Sequence, residues 1–243
     1  VSGTILSGPD IQERIMEKSP IMMSAISRTD DEPHEASEII PNVYQLTIRS
    51  TNVVLIVDEE LTLIDTGLQG SSAGIVDFIR QLGRSPEEIS LIVLTHNHVD
   101  HVGGLAELKH STPARTTIHA NDIGERGNRP AARAEDIDIR LEGGEVLKPM
   151  GGLRVIHTPG HTPGSICLFS PRTRLLIAGD AARNGRKALH LPARMAGSDM
   201  RQAAESIEKM AELDFSILCL GHGLPLTEDV QVKMQGLIER IKD

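Results

Sequence analysis

The segment from His96 to His101 contains four side chains that can bind a metal ion within six residues. It reads His-Asn-His-Val-Asp-His, with three imidazoles and one carboxylate. The segment follows an apolar run at residues 89–95 that is typical of a fully buried strand, so we expect these side chains on the turn beyond that strand. A single histidine is usually a surface or hydrogen-bonded residue, but no packing requirement explains four donors on one turn. The segment therefore indicates a metal site.

More ligands than these four are needed if two metal ions are bound. A catalytic zinc ion takes three protein ligands and keeps a fourth position open for water. Three further candidates each stand beside glycine at the end of an apolar strand, namely His161, Asp180 and His222. Glycine permits the sharp turn and close backbone approach that a metal-binding loop requires. The residues alone thus indicate a metal centre assembled from several loops.

The order and spacing of these motifs resemble those of the metallo-β-lactamase-fold hydrolases, in their glyoxalase II-like and lactonase-like branch. The resemblance covers residues 42–226 and includes the upstream Asp65-Thr66-Gly67. In that family this aspartate supports the metal-binding loop without binding metal itself. The resemblance implies an α/β fold, a four-layered αββα sandwich, with the site at one edge between two sheets. It also implies two zinc ions as cofactors, with iron or manganese as alternative metals.

The same resemblance implies a role for each ligand. His96, His98 and His161 are expected to bind the first zinc ion, Asp100, His101 and His222 the second, and Asp180 both. Two zinc ions about 3.5 Å apart lower the pKa of a bridging water and polarise the carbonyl that it attacks. Asp100 is the candidate catalytic residue, because its carboxylate can also accept or deliver a proton.

These features favour hydrolysis of the ester, thioester or lactone bond of a small-molecule acyl substrate by metal-bound hydroxide. Two alternatives stay open. Persulfide dioxygenases keep much of the motif but use a single iron, which would make the protein an oxidoreductase. A β-lactamase-like amide hydrolase is the other alternative, although true metallo-β-lactamases lack a bridging aspartate at the position of Asp180.

The residues after Asp180 are where we expect substrate recognition. The sequence continues Ala-Ala-Arg, whereas glyoxalase II and persulfide dioxygenases favour Gly-Cys-Gly-Arg and acyl-homoserine lactonases place a tyrosine there. Arg183, Arg186 and His190 are the candidate substrate-binding residues. A guanidinium suits a carboxylate or a phosphate, although the same cations also fit a solvated loop.

Composition restricts the classes of partner. The chain has 243 residues, of which 39% are hydrophobic and 2% aromatic, and its formal net charge is −9. Lysine and arginine form no dense stripe, so we expect no nucleic-acid partner. The sequence contains no apolar run of about 18 residues and no signal-peptide pattern, so we expect a cytoplasmic protein without membrane contact. A homodimer is left open.

Hydrophobic periodicity predicts the elements that position these residues. Residues 1–38 are expected to form an N-terminal extension or arm, and residues 39–243 one catalytic domain. Within that domain we predict strands at 43–48, 52–58, 61–65, 89–95, 116–119, 145–148, 153–157, 165–169, 175–178 and 216–220, and helices at 72–82, 199–213 and 228–242, with another beginning at 104. Cys167 and Cys219 lie in apolar runs, which predicts buried thiols.

Overall fold

The computed structural model describes residues 35–124, 131–185, 187–195 and 197–242. Residues 1–34 of the expected extension, and the candidate Arg186, lie outside this part of the chain. Strand β1 (Glu35–Ile40) spans the boundary expected at residue 39, so the sheet begins inside the segment assigned to the extension. The sequence pattern missed this strand because its first four residues, Glu-Ala-Ser-Glu, offer little apolar alternation.

The N-terminal half forms a seven-stranded sheet. After β1 its strands are β2 (Val43–Ile48), β3 (Thr51–Val57), β4 (Leu61–Ile64), β5 (Ile89–Val93), β6 (Arg115–His119) and β7 (Ile139–Leu141), in that spatial order. Neighbours from β1 to β4 are antiparallel, and those from β4 to β7 are parallel. Helix α1 (Ser72–Gln81) connects β4 to β5, and the short helices α2 (Val99–Val102) and α3 (Leu105–Ser111) connect β5 to β6. The carboxyl ends of the parallel strands consequently meet at one edge of the sheet.

The C-terminal half forms a second, five-stranded sheet. The strands of this sheet are β8 (Val146–Leu147), β9 (Leu153–His157), β10 (Ile166–Ser170), β11 (Leu175–Ile177) and β14 (Ile217–Cys219). Between β11 and β14 the chain forms a separate hairpin of β12 (Arg183–Asn184) and β13 (Leu189–His190), followed by helix α4 (Met200–Ala211). Helix α5 (Val230–Lys242) follows β14. The sheet order is β14-β11-β10-β9-β8, with only the β11–β14 pair parallel. No helix within the described ranges is long and apolar enough to cross a membrane.

Three clusters of buried apolar side chains separate four layers. The first packs the seven-stranded sheet against α1 and α3, with Phe78 and Leu108 among its members. The second fills the space between the two sheets, and the third packs the five-stranded sheet against α4 and α5, with Ile207 and Leu237. The predicted αββα sandwich is confirmed, and aliphatic side chains make up most of its core.

Both cysteines lie in this core. Cys167 and Cys219 are free thiols, and each is fully buried. Burial raises the pKa of each thiol to about 12. The two residues therefore remain neutral packing residues, in agreement with the sequence-based prediction.

Candidate metal centre

The seven predicted ligands converge at one end of the sandwich, and both sheets contribute loops to it. The loop after β5 and the start of α2 contain His96, His98, Asp100 and His101. His161 lies on the turn between β9 and β10, while Asp180 follows β11 and His222 follows β14. These positions are the ends of apolar strands, so the hydrophobic core fixes the direction in which each loop leaves the sheet.

Three overlapping groups of these side chains place their ligand atoms within 4.8 Å of one another. The groups are His96-His98-His161, His96-His101-Asp180 and Asp100-His101-His222. The first and third coincide with the two ligand sets expected from the family resemblance. Asp180 lies between them, with Oδ2 at 3.3 Å from His161 Nε2 and at 3.5 Å from His222 Nε2.

The chemistry of this donor set fits divalent cations. His101 Nε2 is buried without a hydrogen-bond partner among the described residues, and an unpaired buried polar atom costs about 1–3 kcal/mol. That nitrogen lies 3.6 Å from both Asp100 Oδ2 and Asp180 Oδ1, too far for hydrogen bonds. Imidazole nitrogens and carboxylate oxygens spaced in this way can share a zinc ion.

Asp65 holds the loop of candidate ligands after β5 in place through three hydrogen bonds. Its Oδ1 accepts a hydrogen bond from the backbone nitrogen of Thr95 at 2.7 Å, and its Oδ2 accepts from Thr95 Oγ1 and His101 Nδ1, both at 2.8 Å. Because Nδ1 of His101 donates to the carboxylate, Nε2 of the neutral ring has its lone pair free for a metal ion. Asp65 reaches this position through a left-handed backbone, with φ at 63°.

His222 is oriented by the opposite sheet. Its Nδ1 donates to the backbone carbonyl of Ser50, in the β2–β3 turn, at 2.7 Å. The other ring nitrogen, Nε2, lies 3.4 Å from Asp100 Oδ2 and 3.5 Å from Asp180 Oδ2. Hydrogen bonds with Asp100 and Asp180 raise the pKa of His222 to about 11, so binding of a cation must displace that proton. Sequence reasoning missed the contact of Ser50, because a backbone carbonyl leaves no signal in residue type.

The carboxylate between the histidines is held ionised. Burial alone would raise the pKa of Asp180, but the surrounding histidines outweigh it and hold that pKa well below its ordinary value. Burial would likewise raise the pKa of Asp100, but the hydrogen bond with His222 and the charge of His101 lower it. Both carboxylates are thus available as anionic ligands at neutral pH.

The ligands open into a cleft of about 500 Å³. Beyond the ligands, its lining residues are Val99, Ala182, Arg183, Pro192, Ala193 and Met195. Of the candidate substrate-binding residues, Arg183 lines the cleft, whereas His190 does not. His190 pairs with Arg183 across the β12–β13 hairpin, and a Cβ added at Gly185 would lie 2.7 Å from its Nε2. The sequence pattern gave no indication that Pro192, Ala193 and Met195 would line the cleft.

A larger cavity of about 810 Å³ lies at the other end of the sandwich. It is lined by the start of β5 and the end of β3, including Ile56 and Leu91, and by none of the predicted ligands. The convergence of donor atoms, not cavity size, therefore marks the candidate functional site.

Comparison with known proteins agrees with this geometry. The family model described as the metallo-beta-lactamase superfamily matches residues 46–222. The protein YobT of Bacillus subtilis (strain 168) is 33% identical over 228 residues, which cover 82% of this chain and 96% of that protein. A hydroxyacylglutathione hydrolase of Pseudomonas aeruginosa (strain LESB58) is 41% identical over 121 residues, which cover 48% of this chain and 43% of that enzyme.

The fold is shared with solved structures. A metallo-beta-lactamase family protein from Thermus thermophilus superposes with a TM-score of 0.69 at 22% sequence identity, covering 84% of this chain and 81% of that one. At this identity the likeness concerns the fold alone. The matched family model, by contrast, extends over every predicted ligand from His96 to His222 and includes Asp65. The chain belongs to the metallo-β-lactamase superfamily of metal-dependent hydrolases.

Proposed function

We propose that this protein is a dinuclear zinc hydrolase that cleaves ester, thioester or lactone bonds in a small-molecule acyl substrate. The position of Asp180 is the observation on which the proposal depends. One of its oxygens, Oδ1, lies 3.6 Å from His101 Nε2, and the other, Oδ2, lies 3.3 Å from His161 Nε2. Since Oδ2 also lies 3.5 Å from His222 Nε2, the carboxylate is close to both ligand groups, as a bridging ligand requires.

The chain's own residues supply the binding and orientation. His96, His98 and His161 would hold one ion and Asp100, His101 and His222 the other, with Asp180 shared. Two divalent cations in these positions would supply a water nucleophile activated near neutral pH and a Lewis acid for the carbonyl. Asp65 keeps His101 in the tautomer that binds metal through Nε2. Asp100, which lines the cleft and stays ionised, is the group placed to accept a proton during the reaction.

The lining of the cleft supports a substrate with an aliphatic body and an anionic group. Val99, Pro192 and Met195 present apolar surface. Arg183 Nε donates to the backbone carbonyl of Leu191 at 3.0 Å, and the other guanidinium nitrogens have no acceptor among the described residues. A guanidinium held in this way can bind a carboxylate with two parallel hydrogen bonds.

The hydroxyacylglutathione hydrolase that shares 41% identity over 121 residues supports a thioester as one member of the substrate class. That relative matches only 48% of this chain. Esters and lactones have the same requirement, an acyl carbon attacked by water and a leaving group stabilised by a metal. Amides such as β-lactams need more stabilisation of the leaving nitrogen, so we expect them to react more slowly.

A parallel substrate screen tests this proposal. Zinc-loaded protein is assayed with an aryl ester, a glutathione thioester, an acyl-homoserine lactone and a penicillin, and kcat/KM is compared. We expect the highest value with one of the first three.

The matched variants are Asp180→Asn, which should lose activity, and Asp77→Asn, on the exposed face of α1, which should keep it. A penicillin with by far the highest kcat/KM would overturn the substrate class, and oxygen consumption on a persulfide would overturn the hydrolytic reaction.

A further inference from the structure

A buried carboxylate outside the expected ligand set lies between two of the metal-binding loops. Asp122, in a single 3-10 turn (Ala120–Asp122) after β6, is only 5% exposed. Its Oδ2 accepts hydrogen bonds from the backbone nitrogen of Asn97 at 2.9 Å and from Thr162 Oγ1 at 2.6 Å. Its Oδ1 accepts from the backbone nitrogen of Gly164 at 2.7 Å. One side chain thus fastens a loop of the first sheet to a loop of the second.

Two of these partners are direct neighbours of candidate ligands. Asn97 stands between His96 and His98, and Thr162 follows His161. These three histidines form the first ligand group. The hydrogen bonds of Asp122 therefore fix the relative position of the two loops from which that group is assembled.

A carboxylate is required at this position, and an amide does not replace it. The backbone N–H groups of Asn97 and Gly164 contact different oxygens of Asp122 and cannot become acceptors. An asparagine has one oxygen and one NH₂ group, so one of the two backbone donors would face another donor in a buried site. The loss would be local, because the shape of the side chain is kept.

The backbone of Gly164 approaches Asp122 very closely. A Cβ atom added at Gly164 would lie 2.6 Å from both the backbone nitrogen and the Cβ of Asp122. A Cβ atom does not come this close to an atom to which it is not bonded, so only glycine at this position lets the Gly164 N–H reach the carboxylate. Glycine here serves the buried interaction, independently of any metal ligand.

The charge of Asp122 also matters to the first ligand group. That group consists of imidazoles, which are neutral when they bind a metal. A buried anion that is hydrogen-bonded to the sequence neighbours of these ligands is weakly screened, so it would offset part of the charge of a bound dication. Asp65 has a comparable place beside the second group, where it accepts from His101 Nδ1.

We propose that Asp122 is a positioning residue for the first metal site: its carboxylate holds the His96–His98 loop against the His161 loop and provides buried negative charge to a set of neutral ligands. This inference rests on the proposed metal-binding function. Asp122 would support the first site, whereas Asp65 contacts His101 of the second group and Thr95, the residue before His96. Loss of Asp122 should consequently weaken one site selectively.

The test measures zinc affinity by competition with a chromophoric chelator in two backgrounds. His222→Ala leaves the first ligand group complete, and His98→Ala leaves Asp100, His101 and His222 complete. Adding Asp122→Asn to the His222→Ala background should weaken zinc binding about 10- to 100-fold. The same change in the His98→Ala background should alter the affinity by less than about threefold, and Asp77→Asn should have no effect in either.

Thr162→Val gives a milder version of the test, because it deletes one of the three hydrogen bonds and keeps the shape of the side chain. It should weaken zinc binding in the His222→Ala background by less than Asp122→Asn does. Unchanged affinity after Asp122→Asn, or equal losses in both backgrounds, would overturn the positioning role. If the unsubstituted protein binds only one ion, the proposed dinuclear function is wrong, but the zinc affinities in the His222→Ala background still decide the role of Asp122. If the unsubstituted protein binds no ion, both proposals are wrong.

Discussion

The carboxylate of Asp65 orients the ring of His101 at this site. Asp65 makes three hydrogen bonds at 2.7–2.8 Å, one of them from the ring of His101. Its side chain is almost completely buried, so no water can replace the carboxylate if it is changed. The consequence is that a residue which does not bind metal should still affect metal affinity strongly.

Asp65→Asn should weaken metal binding about 10- to 100-fold. The amide either presents its NH₂ group to the donating ring nitrogen of His101 or loses the hydrogen bond from Thr95, and both outcomes disturb the ring that binds the second ion. The measurement is a chelator competition assay, with circular dichroism to check the fold. Asp214→Asn is the control, because the side chain of Asp214 is 80% exposed. Wild-type affinity in Asp65→Asn would contradict this account of the loop.

Arg183→Gln should reduce the preference for anionic substrates. The test compares kcat/KM for two aryl esters that differ only in a terminal carboxylate or its methyl ester. A lost bidentate hydrogen bond to a carboxylate of about 1.5–3 kcal/mol lowers the ratio of the two values about 10- to 100-fold. Arg201→Gln, on the exposed face of α4, should leave the ratio unchanged. An unaltered ratio in Arg183→Gln would remove this residue from substrate recognition.

The loops at the ends of the strands place the candidate ligands close to one another. Gly221, directly after Leu220 and β14, lies so close to the site that an added Cβ would be 2.1 Å from Asp180 Oδ1 and 2.7 Å from His101 Cε1. Its backbone nitrogen also donates to the carbonyl of Gly179, in the loop before Asp180. The two loops of the second sheet are thus packed against each other through glycine.

Gly221→Ala should displace the Asp180 carboxylate and lower activity at least about 100-fold, because a shift of the order of 1 Å is enough for such a loss. The bound metal per chain should fall as well. Gly236→Ala is the control, since an added Cβ there meets only the flexible end of Arg240 and alanine favours the helix α5. Full activity and full metal content in Gly221→Ala would show that the carboxylate does not occupy this position.

Residue type and spacing predicted the ligands and most strands, but not the elements that lack an apolar pattern. Strands β2 and β9 begin and end where periodicity placed them. The pattern missed β1, β7 and the β12–β13 hairpin, because β1 begins with acidic and small residues and the others are two or three residues long. The contact of Asp122 with both loops depends on tertiary packing and gives no local signal. The sequence therefore predicted which side chains converge at the candidate site better than it predicted the residues that hold them in place.

In the whole molecule the candidate ligands come from both sheets, which also contact each other through the apolar core and through hydrogen bonds such as that between Asp122 and Thr162. Four of the candidate ligands come from the loop after β5 in the first sheet, and His161, Asp180 and His222 come from the second. Ions that bind all seven must stabilise the folded state relative to the unfolded chain, in which these ligands are far apart. Metal binding and the free energy of unfolding of the whole domain should therefore depend on each other.

Removal of metal with a chelator should lower the melting temperature. Free metal at 1,000 times its Kd stabilises a site by about 4 kcal/mol, which corresponds to roughly 10 °C for a chain of this size. Differential scanning calorimetry with and without the chelator measures the shift, and added zinc should reverse it. Asp180→Asn should show a smaller shift than the unsubstituted protein. An identical melting temperature with and without metal would contradict a structural link between the sheets.

The metal bound per chain, measured by elemental analysis, tests the dinuclear site most directly. Purified protein and Asp180→Asn are dialysed in parallel against trace-metal-free buffer and then analysed for zinc, iron and manganese. The ligand arrangement predicts close to two zinc ions per unsubstituted chain and fewer in the variant, because the shared carboxylate is lost. One iron ion per chain, or two ions retained in Asp180→Asn, would contradict the dinuclear zinc site.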